Sequence, residues 1–170
     1  MRSTLRTAAL LVCLCAALPL AAQDTTAPSP TEDPAMTRAI GQARAQLDLV
    51  LSRVMTGDRD IHPALNFKVE IPVTHFDVAH EIIWVDRLSL SEDGTFAGHL
   101  ANEPAYMPGH SLGDAVTFSR DQIADWSVMN TDGRMYGHFT TRVLIRDLPE
   151  AEAAPLRDLL SVDPIPDAWR

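Results

Sequence analysis

From Leu65 to Val73 apolar and polar residues alternate without a break. Leu65, Phe67, Val69, Ile71 and Val73 take one parity, and Asn66, Lys68, Glu70 and Pro72 take the other. Over so long a run, a period of two fits a strand with one dry face and one wet face. A chain that carries such a strand needs a sheet beside it and an apolar layer against its dry face. Pro72 has no N–H for a ladder, which puts that end of the strand at an edge or beyond pairing.

The covering layer is written just upstream. Asp33 is placed to cap and Pro34 suits a first helical position. Met36, Ile40, Ala43, Leu47, Val50, Leu51 and Val54 then recur at helical spacing, with Gly57 as a stop. The pattern predicts one amphipathic helix of about five turns, its apolar stripe laid on the sheet.

Further strands follow in short order. Glu81–Leu90 carries Ile82, Trp84, Leu88 and Leu90 on one parity, and Ile83 and Val85 make its first half apolar on both, as in a central strand. Ser91-Glu92-Asp93-Gly94 is a turn, and Thr95–Asn102 returns with Phe96, Gly98 and Leu100 on one face. A three-residue loop with Gly94 left-handed sets Leu90 against Phe96 and Trp84 against Asn102. Glu103–Leu112 is a loop punctuated by Pro104, Pro108 and Gly109.

Gly113–Trp126 is the pivot of the pattern. A Gly-Asp turn leads into a strand, Ala115–Ser119, with Val116 and Phe118 on one face. Ser119-Arg120-Asp121-Gln122 has capping-box spacing, with room for one helical turn. A second hairpin is expected from Asp125–Asn130 and Arg134–Thr141 around Thr131-Asp132-Gly133, and then a last strand, Thr141–Arg146. Pro149 opens a short helix, Glu150–Leu160, and Trp169 in the tail is expected to dock on the core. Asp93-Gly94…Gly98-His99 resembles Asp132-Gly133…Gly137-His138, each preceded by a tryptophan. Two copies of a common turn is the expected reading, ahead of a true internal repeat.

The N-terminus reads as a secretory signal peptide spanning residues 1–22. Arg2 and Arg6 form its basic region, Thr7–Leu20 its apolar core, and the expected cut follows Ala22. The apolar run is shorter than the roughly 20 residues of a membrane span, so the mature chain is expected to have none. Residues 23–33 read as a flexible linker and 34–170 as a single domain. Both cysteines, Cys13 and Cys15, lie in the leader, and a mature chain without them folds on its core alone. The expected compartment is the periplasm or the outside of the cell. Loss of Arg2 and Arg6 would take the net charge from −9 to −11, a balance that argues against nucleic acid and anionic lipid as partners.

Several pieces occur in a recognisable order: Phe67-Lys68-Val69, Glu81-x-x-Trp84-Val85, Gly98-x-Leu100-x-Asn102-Glu103-Pro104, Gly113-Asp114-x-Val116-x-Phe118, Ile123-x-Asp125-Trp126 and Thr141-Arg142. Together, over roughly residues 36–148, they resemble the YegJ-like family, an uncharacterised bacterial domain of unknown function (2314). Ser127 is less apolar than that pattern expects. The resemblance implies one compact α+β domain in a bacterial envelope setting, and it brings no catalytic residue with it.

Candidate chemistry is sparse. Glu81 and Asp125 each lie near a tryptophan, and two carboxylates between aromatic walls are what glycoside hydrolysis needs. The competing reading is structural, with each carboxylate capping a turn or accepting an indole N–H. His99 and His138 follow glycines in the two hairpins and would form a metal site if they converged. Gly109-His110-Ser111-Leu112-Gly113 spells a nucleophile elbow, but it lacks the strand before and the helix after that an elbow requires. No phosphate loop or dinucleotide fingerprint is present, and no cofactor is expected. Asn102, Glu103, Tyr106, Met107 and Arg142 form the expected binding surface, with Tyr106 and Met107 as its lip.

The resulting expectation is an α+β domain, with a long N-terminal helix packed on a bent antiparallel sheet of about five or six strands and a short C-terminal helix. A partly open SH3-like barrel is the alternative. The function expected is a non-enzymatic module binding an envelope protein or peptide through the 102–112 loop and an exposed edge at Lys68–Pro72. A small glycan hydrolase using Glu81 and Asp125 and a metal-binding protein are the alternatives.

Overall fold

The structure, a computed structural model, describes residues 33–57 and 59–170. The expected signal peptide, its cleavage point, both cysteines and all of the linker but Asp33 lie outside the described residues.

Asp33 starts the first helix as its side chain predicts. It accepts the Ala35 N–H at 2.7 Å, with Pro34 in the first turn. The single long helix expected here is two, α1 (Pro34–Ala45) and α2 (Leu47–Val54). At Gln46 the backbone N–H reaches the Ala43 carbonyl, one residue short of α-helical spacing, and the helix tightens and restarts. The apolar stripe carries across the joint. Met36, Ala39, Ile40, Ala43, Leu47, Val50, Leu51 and Val54 are all buried.

Six strands follow: β1 (Leu65–Pro72), β2 (His80–Leu90), β3 (Phe96–Leu100), β4 (Ala115–Phe118), β5 (Ile123–Met129) and β6 (Met135–Gly137). They form one open antiparallel sheet in the order β4-β3-β2-β1-β5-β6. β1 to β4 are a meander, after which the chain passes from the β4 edge to the far side of β1. Ser119 makes this passage with the expected capping box and one 3-10 turn, Arg120–Gln122. The sheet is strongly bent. The Phe67 ring on β1 and the Phe118 ring on β4 lie 6.3 Å apart at their centroids. Three strand spacings in a flat sheet would separate them by roughly 14 Å. The sheet curls without closing into a barrel, and among the described residues no ladder joins its edges.

Two irregularities shape it. Arg87 has φ 49 and the β2–β3 register shifts between Asp86 and Ser89. This bulge corrects the expected face of β2. Ile83, Val85 and Leu88 point into the core, while Ile82 and Trp84 point away from it. The hairpin turn is as expected, with Leu90 opposite Phe96 and Gly94 at φ 85. Trp84 ends beside Asn102, whose side-chain oxygen accepts the Trp84 N–H at 3.1 Å. A second bulge falls between Lys68 and Val69 opposite β5.

β1 is the central correction. It pairs with β2 from Phe67 to Pro72 and with β5 from Leu65 to Val69. The expected edge at Lys68–Pro72 is therefore confined to Glu70–Pro72, on the side beyond the end of the β5 ladder. Lys68 is flanked on both sides, and beyond β5 the Gln122 side chain covers the Glu70 carbonyl at 3.0 Å.

The expected last strand, Thr141–Arg146, is also corrected, to a helix, α3 (Phe139–Leu144). His138 takes a left-handed conformation, φ 54, which ends β6 and turns the chain. The new helix then finds acceptors for its first N–H groups on Asp125, as described below. α4 (Glu150–Leu159) forms where Pro149 predicts it, and Trp169 docks against Trp126 with ring centroids 6.4 Å apart. The main core lies between α1–α2 and the sheet, with Phe67, Val69, Trp126 and Ile165 among its members.

Candidate functional site

The two carboxylates singled out in the sequence are not brought together. Glu81 faces Ile71 on one side of β1, and Asp125 faces Lys68 on the other. Two strand spacings and three residues of rise put their backbones roughly 14 Å apart, with side chains on opposite faces of the sheet. A glycosidase pair needs its carboxyl groups at most about 9.5 Å apart. In this placement Glu81 and Asp125 do not form such a pair.

Each carboxylate has a structural task. Glu81 is 8% exposed and accepts the Ala105 N–H at 2.6 Å and the Tyr106 N–H at 2.8 Å. It is a buried clamp beneath the 103–112 loop. Asp125 is fully buried and accepts four hydrogen bonds, from the N–H groups of Trp126, Phe139 and Thr140 and from the Thr140 hydroxyl. A carboxylate from β5 thus caps α3, whose own cap residue, His138, gives no side-chain bond.

Asp125 is part of a polar node on the outer face of the sheet. Lys68, the one lysine of the chain, donates to the Thr140 hydroxyl at 3.3 Å, and that hydroxyl donates to Asp125 at 2.7 Å. The Lys68 ammonium stands 5.8 Å from the centroid of the Trp84 ring, and His138 stacks against the same indole at 4.8 Å. Burial dominates the charges here. It lowers the Lys68 pKa against the pull of Asp125, and it raises that of Asp125 against its hydrogen bonds. The His138 pKa falls to about 4, through burial first and then the positive charges of Lys68 and Arg142. Lys68 and Thr140 were missed as partners of Asp125. The chain's one lysine was a signal, but Thr140 was hidden by the expectation of a strand.

No hydrogen bond or ring contact joins His99 and His138 among the described residues. His99 sits on β3 opposite Asp86, and His138, directly after β6, stacks on Trp84 of β2. His138 bonds Thr141 at 3.1 Å and the Met135 sulfur at 3.3 Å, and His99 leaves Nδ1 buried with no partner. Among the described residues no three His, Cys, Asp or Glu side chains gather as a metal site would require.

The expected binding surface is split. Asn102, Glu103, Tyr106 and Met107 belong to one loop, where Glu103 accepts the Leu112 N–H at 3.0 Å. Arg142 lies on α3. It donates to the carbonyls of Gly137 at 2.9 Å, Ser161 at 2.8 Å and Val162 at 3.4 Å, so it ties the C-terminal tail to α3 and is not part of the loop surface. Of the expected lip, Tyr106 is exposed and Met107 is half-buried. The lip has a member that the sequence reading passed over. Phe76 is 90% exposed, Tyr106 40% and Leu112 60%. His75 bridges the aromatics, 4.6 Å from the Phe76 ring and 5.0 Å from that of Tyr106. A large aromatic in the short Thr74–His80 connection was the available signal.

Compared with known families, residues 33–159 match the model described as an uncharacterized protein conserved in bacteria (DUF2314). The chain belongs to this family. The DUF2314 match runs from the cap of α1 to the end of α4, so it takes in the whole sheet, the Asp125 node and the lip. No curated protein and no solved structure matches the chain. Among the described residues no helix is long and apolar enough to cross a membrane.

Proposed function

We propose that this DUF2314 domain is a non-enzymatic binding module of the bacterial cell envelope that engages a protein or peptide through the Phe76–Tyr106 lip. The observation that carries the reading is the pairing of exposure with rigidity. Phe76, His75 and Tyr106 form an exposed aromatic row, and the buried Glu81 carboxylate fixes the backbone under Tyr106 with two hydrogen bonds. Exposed aromatics held in place before binding lose little entropy on contact and are the side chains that dominate interface energies. Asp77, next to Phe76, and Glu103 add negative charge in the same loops, in a chain of net charge −9. A partner with an apolar side chain flanked by basic residues is the chemical match. The signal-peptide-like N-terminus supports the envelope as the place of action.

The test is crosslinked affinity capture from envelope extract, comparing wild type with a Phe76→Ala/Tyr106→Ala variant shown to be folded by circular dichroism. A protein enriched by wild type and lost with the variant is expected. Equal recovery by both proteins would remove the lip from the function.

A further inference from the structure

The arginines of this acidic chain divide into two groups. Arg44, Arg59, Arg87, Arg120, Arg157 and Arg170 each meet a carboxylate within 4.0 Å. Arg38, Arg53, Arg134, Arg142 and Arg146 meet none among the described residues, and all of these but Arg53 come together. Arg134, Arg142 and Arg146 line a cavity of about 500 Å³ between α3, α4 and the Leu160–Val162 tail. Arg142 and Arg146 also line an adjoining cavity of about 330 Å³, which Arg38 enters from α1. Carboxylates outnumber basic side chains, 23 to 14, so chance pairing would not leave four neighbouring guanidinium groups unpaired in one cleft.

The facing carboxylates are already engaged. Glu150, on the wall of the larger cavity, is held by Arg157 at 2.5 Å. Asp163, in the tail, lies 3.9 Å from Arg170; it and the buried Asp125 also act on Arg142, from beyond 4.0 Å. Arg142 is the fixed member of the group. Its three carbonyl bonds orient the guanidinium plane, they bring no negative charge, and two of its five N–H donors stay unused. Arg134 and Arg146 are exposed at the rim, and Ile145, Leu148 and Leu160 give the cavity an apolar wall.

We infer that this cleft binds a small, multiply charged organic anion through phosphate or carboxylate oxygens, with Arg142 as the preorganised contact and Arg134, Arg146 and Arg38 closing around it. Guanidinium forks match the oxygen pairs of both groups. Several positive charges in one cleft favour at least two negative charges on the ligand. The apolar wall accepts a short carbon skeleton beside them. The site stands apart from the lip on the 103–112 loop and does not depend on that reading.

The test is calorimetric titration of the purified chain at low ionic strength with pyrophosphate, inorganic phosphate and citrate, with sodium chloride at matched ionic strength as the control. Arg146→Gln and Arg38→Gln remove exposed side chains that hold no bond in the fold, so both variants are expected to fold. Arg53→Gln, outside the cleft, reports non-specific attraction. Saturable binding of one probe per chain is expected, weakened about tenfold by Arg146→Gln, as for loss of a charge-assisted contact, and unchanged by Arg53→Gln. Preference for pyrophosphate over citrate would name a phosphate compound as the ligand class, and the reverse preference a polycarboxylate. No saturation with any probe, or equal weakening by Arg53→Gln, would overturn the proposal.

Discussion

The Asp125 carboxylate accepts both the backbone N–H and the hydroxyl of Thr140, each at 2.7 Å. The two residues are fifteen apart in sequence, on a central strand and on the helix that follows the sheet. Through this contact a strand residue supplies the cap that α3 lacks. The same hydroxyl receives Lys68, so a half-buried ammonium and a buried carboxylate are joined through one threonine.

Removing the carboxylate therefore strands three backbone N–H groups and leaves Lys68 without its counter-charge. Asp125→Ala is expected to cost about 3–5 kcal/mol, the usual scale for breaking a buried charge arrangement from one side. Urea unfolding followed by tryptophan fluorescence would measure it. A loss under about 1 kcal/mol would mean that water replaces the carboxylate in the node.

His138 links this node to pH. Its folded pKa is about 4, against 6.5 for the free side chain. The unfolded chain therefore takes up a proton near pH 6.5 while the folded ring resists until about pH 4. Stability from this group is complete above pH 6.5 and is lost as pH falls toward 4, by about 3 kcal/mol. Asp125 works in the opposite direction, because its raised pKa lets the folded state gain a proton more readily. A comparison of wild type with His138→Asn isolates the histidine, and asparagine tolerates the left-handed backbone there. The stability difference between the two, from urea titrations at pH 7 and pH 4.5, is expected to shift in favour of the variant at the lower pH. No shift would show that the ring protonates in place.

What the sequence disclosed follows from how local each signal was. The Asp33 cap, the Leu90–Phe96 register, the Ser119 capping box and the α4 start are set by neighbours in the chain, and all were legible. The α3 helix was not, because its capping carboxylate lies fourteen to fifteen residues upstream, and Thr141, Val143 and Ile145 fit an alternating strand pattern equally well. The face of β2 was misread because the Arg87 bulge changes parity midway, with no glycine to announce it. The arginine cleft was hidden by scale. Whole-chain charge is strongly negative, and Arg38 lies about a hundred residues from the others that share the site.

Gly137 illustrates a constraint that composition conceals. Its φ is 75, and a Cβ there would lie 2.2 Å from the Trp126 carbonyl oxygen and 2.6 Å from its indole ring. Gly94 has a similar φ of 85 with nothing within 4 Å. Gly94→Ala should cost about 1 kcal/mol, the penalty of the left-handed backbone alone. Gly137→Ala adds a clash with a fully buried tryptophan and should cost about 3 kcal/mol or more. Thermal unfolding of both variants would show it, and equal losses would mean that the end of β6 shifts freely.

Glu81 separates fold from function most cleanly. It lies at the start of β2, and its two hydrogen bonds go to the loop and not to the sheet. Glu81→Gln keeps the shape but exchanges one acceptor oxygen for a donor, so the Ala105 and Tyr106 amides cannot both be satisfied. The global cost is expected to be about 1–2 kcal/mol. The local effect should be larger in proportion: hydrogen exchange at Ala105 and Tyr106 should quicken well before that of core amides such as Val69 and Val85. If the lip works by being held rigid, partner capture should weaken in Glu81→Gln although Phe76 and Tyr106 are intact. Quickened exchange with undiminished capture would show that the aromatic side chains matter and the clamp does not.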